Sequence, residues 1–140
     1  MKLRIFERIS FYSELDLEAF SSTLESILSL KPFEYDWEND NRWSWTYDQD
    51  HIQINLSWPF LFENLQEWDP TVPDGCNYSL ILISDFPLVD YEQDKYNEQF
   101  VITVLIPKYV AVLRKIAGDV YYHSGNHHAK YVNSLLSSNQ

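Results

Sequence analysis

The side chains best placed to do chemistry in this chain are carboxylates on alternate residues. Glu34, Asp36 and Glu38 are followed by Asp40, Asp48 and Asp50, with Arg42 among them. At a rise of about 3.3 Å per residue, alternate carboxylates on one strand lie roughly 7 Å apart. That spacing is comparable with the separation of phosphates along a nucleic-acid strand. Such a row could occupy the substrate groove of a basic nuclease. The plainer reading is a solvated outer face of an antiparallel sheet, where outward charge also discourages edge-to-edge aggregation. A purely structural face usually mixes signs, which favours an interface. These six acids are the expected partner-binding residues.

The other candidates are weaker. His123, His127 and His128 stand close together in HSGNHH. Three imidazoles can bind a transition metal. However, His127 and His128 point to different faces of any helix, and no cysteine or carboxylate close in sequence completes a set. A polar turn is the expected reading, with no metal. Cys76, in PDGCN, has no adjacent base and is expected to be an inert thiol. Paired-carboxylate catalysis carries no signal, because 21 acids satisfy any distance test. There is no P-loop, GxGxxG, GxSxG, HExxH or CxxC, and three glycines (Gly75, Gly118, Gly125) cannot build a phosphate cradle. No catalytic residue and no cofactor are expected; the chain reads as a binding protein rather than an enzyme.

Charge narrows the partner. The net charge is -11, and residues 34–98 hold 15 acids against Arg42 and Lys95. Phosphate contacts require Lys and Arg, so neither free nucleic acid nor an anionic membrane is expected as a partner. A basic protein is the natural complement, although net charge also serves solubility. One cysteine permits no internal disulfide, and no stretch approaches 18 apolar residues. A cytoplasmic protein is expected, and the composition leaves its oligomeric state open. One hundred and forty residues fit one domain, 1–140. A chain this long buries roughly 65–70% of its unfolded surface without a disulfide or metal.

The elements follow from periodicity. Lys2–Ile9 reads as a strand. Residues 14–30 read as an amphipathic helix with Leu17, Phe20, Leu24, Ile27 and Leu28 on one face, started by Ser13 or Asp16. Residues 33–58 alternate with period two in three runs, which predicts a β-meander. Phe33, Tyr35, Trp37, Trp43, Trp45, Tyr47, Ile52, Ile54 and Leu56 are assigned to its buried face. A three-residue first loop would set Trp37 opposite Trp43 and Glu38 opposite Arg42. A four-residue second loop would set Tyr47 opposite Ile52. Residues 59–77 are broken by prolines but apolar, which suggests a short helical turn on the sheet. YSLILIS at 78–84 reads as a central strand. Residues 85–99 read as an exposed loop, and 100–106 as strand, with helix as the alternative. A helix from Pro107 to Gly118 follows, with Tyr109, Val112, Leu113 and Ile116 inward. Then come a short strand at 119–122, a turn at 124–126 and a last helix carrying Tyr131, Val132, Leu135 and Leu136. The expected fold is α+β: one antiparallel sheet with two to three helices on one face.

With strands such as EYDWEND and NRWSWTYD and the ending IAGDVYYHSG, this small acidic chain resembles the immunity proteins of bacterial contact-dependent and other polymorphic toxin systems. The resemblance is of type across the chain and carries over no residue. It implies direct binding to a cognate toxin domain, often a basic nuclease, so that its active site is blocked. Trp68 and Tyr91 are the candidate aromatic anchors at such an interface, with core packing the expected fate of Trp68. The alternative is a small-ligand-binding domain or enzyme, with a pocket between the sheet and the 59–77 and 85–99 segments.

Overall fold

The structure is a computed structural model that describes residues 2–38, 41–59, 65–68, 70, 72–87, 104–124 and 130–131. Its strands are β1 (Lys2–Phe11), β2 (Glu34–Glu38), β3 (Asn41–Tyr47), β4 (Gln53–Pro59), β5 (Tyr78–Pro87), β6 (Val120–Ser124) and β7 (Lys130–Tyr131). Its helices are α1 (Leu17–Leu28), α2 (Leu65–Trp68) and α3 (Ile106–Ala117). The strands form one sheet in the order β2-β3-β4-β5-β1-β6-β7, and every pairing is antiparallel. The expected α+β class, the meander and the central position of β5 are all present.

Local chemistry accounts for the helix ends. Asp16 caps α1, its Oδ1 accepting from the Ala19 amide at 2.8 Å. Ser13 instead accepts from the Leu15 amide, and its own amide and carbonyl bond the Asn77 side chain. Gly118 ends α3 at φ 95°, a conformation that favours glycine. Val104 and Leu105 already have helical backbone ahead of Ile106. The strand expected at 100–106 is therefore corrected to helix at its described end, while 100–103 lie outside the described residues. Of the loop expected at 85–99, residues 85–87 instead continue β5 and 88–99 lie outside the described residues, as does the last helix beyond Tyr131; Tyr131 itself belongs to β7.

Helices α1 and α3 cover one face of the sheet. Ile9 and Phe11 of β1, Ile54 and Leu56 of β4 and Tyr78, Leu80 and Leu82 of β5 meet Leu17, Phe20, Leu24, Tyr109 and Leu113. Phe11 stacks between Phe20 and Tyr78, with centroids 5.0 and 5.2 Å away. On the opposite face, Leu65, Val72 and Cys76 pack against Tyr121. Ser10 and Ser79, on the same face of β1 and β5, are buried as well.

The meander register differs from the expected one by one residue at both hairpins. Trp37 faces Arg42 rather than Trp43, and Tyr47 faces Gln53 rather than Ile52. Arg42, Ser44 and Thr46 therefore point toward the helices, while Trp43, Trp45 and Tyr47 point away. The inward polar set is tolerated because each member has a partner. Ser44 Oγ lies 2.9 Å from Ser21 Oγ on α1. Thr46 donates to the Lys31 carbonyl at 2.9 Å. Arg42 bonds Glu18 and lies 5.6 Å from the centre of the Trp58 ring. Small hydroxyls on both elements also let α1 approach β3 closely. Of the nine residues expected in the core, Phe33, Ile52, Ile54 and Leu56 are buried; Tyr35, Trp37 and Tyr47 are exposed.

Candidate functional site

The candidate site is the margin of the sheet at β2. All five residues from Glu34 to Glu38 are exposed. Glu34, Asp36 and Glu38 share the face away from the helices, as their alternation predicts. The register sets Glu34 beside Trp45 and Asp36 beside Trp43. Glu34 and Asp36 thus each neighbour a half-buried indole one strand in, about 4.7–4.9 Å away between backbones, while Glu38 faces Asn41. Tyr47 continues this outer aromatic row and is exposed. The outer surface of the margin is therefore acid in front and aromatic behind. Arg42 is not among these acids, because it turns to the helix side and bonds Glu18.

The helix side of the same strand offers Tyr35 and Trp37. Tyr35 is buried in part, and this burial, with Glu25 and Glu18 of α1 nearby, raises its phenol above the ordinary value. Trp37 lies farther out and is 68% exposed, more than any other large apolar side chain among the described residues. Alternation alone assigns it to the core.

The remaining expected partner residues separate. Asp40 lies outside the described residues. Asp48 turns inward and is 6% exposed. Its Oδ1 accepts from the amides of Asp50 (2.8 Å) and Ile52 (3.0 Å), and its Oδ2 from the Tyr109 hydroxyl (3.1 Å). It holds the β3–β4 loop, where His51 takes φ 63°, and ties that loop to α3. Asp50 sits beside it, partly buried. The Asp48 carboxylate serves the loop rather than the outer face. Of the aromatic anchors suggested by sequence, Tyr91 lies outside the described residues and Trp68 closes α2.

One cavity of about 340 Å³ opens between the 74–76 turn and the start of β6, lined by Tyr12, Asp74, Cys76, Asp119 and Tyr121 among others. Cys76 is 3% exposed, and burial pushes its thiol up to about 11. It is protonated at neutral pH and unsuited to nucleophilic attack. His123 falls in β6, whereas His127 and His128 lie outside the described residues. Among the described residues no group of three metal-ligating side chains forms, and no helix is long and apolar enough to cross a membrane. No family model, curated protein or solved structure matches the chain.

Proposed function

We propose that this protein binds a basic protein partner through the β2 margin and acts as an immunity protein, neutralising a toxin domain of nuclease type. The observation that carries the reading is the exposed trio Glu34, Asp36 and Glu38, backed by Trp43 and Trp45, with Trp37 projecting on the other side. The carboxylates would steer a cationic partner and set its register. The indoles would supply the desolvated anchor that charge alone does not give. In this reading the protein performs no chemistry and works by occupying the partner's phosphate-binding groove.

Co-expression with the C-terminal domain of the reading frame immediately upstream tests it. Wild-type protein should copurify with that domain and restore growth. A variant with Glu34, Asp36 and Glu38 all changed to Lys should do neither while keeping its circular dichroism spectrum. A domain that is harmless alone, or full protection by the variant, overturns the proposal. The cavity beside Cys76 favours a second reading, a small-ligand site; a molecule retained there through purification would support it.

A further inference from the structure

We infer that the outer edge of β2 accepts an extended segment of the basic partner as an added strand, so that backbone hydrogen bonds and charge act together. The inference rests on the proposed binding role of this margin and specifies how the partner is held.

Two observations fix which backbone groups β2 offers. Only two residues, 39 and 40, separate β2 from β3, and Glu38 pairs with Asn41. In such a hairpin the closing pair is hydrogen-bonded, and bonded and non-bonded pairs then alternate. Glu34, Asp36 and Glu38 therefore direct their backbone groups to β3. Tyr35 and Trp37 direct theirs outward. Independently, the Trp37 amide donates to the Asp36 carboxylate at 2.8 Å, as expected for a donor not used by β3. Among the described residues β2 ends the sheet, and no further strand faces these outward groups.

The side chains specify what can dock. An added strand would meet Glu34, Asp36 and Glu38 on one face and Tyr35 and Trp37 on the other. Its matching pattern is alternation of Lys or Arg with an apolar or β-branched residue. The Trp37 amide is occupied by Asp36, so a cation opposite Asp36 is needed to draw that carboxylate away and free the donor. An acidic strand leaves it capped. This selection by charge is what identifies the occupant as basic.

The test uses the whole protein and a capped ten-residue peptide alternating lysine with valine and threonine. Amide hydrogen exchange is followed by NMR. Saturating peptide should slow exchange at Tyr35 and Trp37 about tenfold or more and leave Glu34, Asp36 and Glu38 unchanged. The same peptide with glutamate for lysine should protect nothing. A peptide N-methylated on its docking edge keeps every side chain and should lose about tenfold or more in affinity; N-methylation of the other edge should not. Tyr35→Pro, which removes the outward amide as well as the ring, should weaken the unmodified peptide about tenfold or more beyond Tyr35→Ala, which removes the ring alone. Equal binding by both N-methylated peptides, or no protection of Tyr35 and Trp37, overturns strand addition. The wider proposal is decided separately, by the charge-reversed variant in the growth assay.

Discussion

The centre and the margin of this sheet are built from similar residues and put them to opposite uses. At the centre, Phe11, Tyr78 and Leu80 lie under two helices, and Ser10 and Ser79 on the reverse face are buried as well. At the margin, β2 has equally large aromatic side chains and every residue is exposed. Amino-acid type does not separate the two regions; the number of covering layers does. Large aromatic side chains consolidate the fold where both faces are covered, and at the open edge they are available to a partner.

That contrast fails or holds at particular residues. Phe11→Ala removes a ring from the Phe20–Tyr78 stack and should cost about 3–5 kcal/mol in urea unfolding. Asp48→Ala leaves two loop amides and the Tyr109 hydroxyl without an acceptor, and should cost about 2–3 kcal/mol although it lies in the same acidic run as Asp36. A negligible loss there would return Asp48 to the binding face. Ser44→Val should cost about 1–3 kcal/mol, because the added bulk meets α1 and Ser21 loses its bond. In the register first expected from the sequence, Ser44 would face solvent and the change would fall within about 0.5 kcal/mol. Trp37→Ala should likewise alter stability by less than about 0.5 kcal/mol, yet weaken partner binding by about 2 kcal/mol or more by calorimetry.

A pH titration sharpens the same contrast. Burial raises Cys76 to about 11 and raises the phenols of Tyr78 and Tyr109 above their ordinary range. All three stay protonated in the folded state at pH values where the unfolded chain releases them. The unfolded state then binds fewer protons, so stability falls as pH rises. Stability should be complete below about pH 8.5, the ordinary thiol value, and decline steadily above it. Equilibrium unfolding at pH 7 to 11 checks the sign. In the native protein at pH 8, Cys76 should react with a disulfide reagent far more slowly than in urea.

Much of the fold is legible in the sequence because its signals are local. Period-two alternation marks the meander, Asp16 and Gly118 mark helix ends, and the apolar run at 78–84 marks a central strand. The sign of each face is not local. Whether Trp45 or Ser44 points inward depends on Ser21, Glu18 and the Lys31 carbonyl, which lie 15 to 24 residues away from their partners on β3. Asp48 reads as one more surface acid because Tyr109, its partner, is 61 residues distant. Within the candidate site, alternation finds the shared face of Glu34, Asp36 and Glu38. It cannot find Trp37, whose exposure follows from where α1 stops covering the sheet.

The position of β1 also has a consequence in time. Its residues leave the ribosome before those of the other strands, yet its two neighbours are β5, which begins at Tyr78, and β6, which begins at Val120. The meander closes through short connections, but β1 has no sheet neighbour until more than half of the chain has been made. Loop closure over such separations is slow, and an unpaired apolar strand is exposed to misassociation meanwhile. The step that completes this sheet is therefore the late capture of its oldest segment.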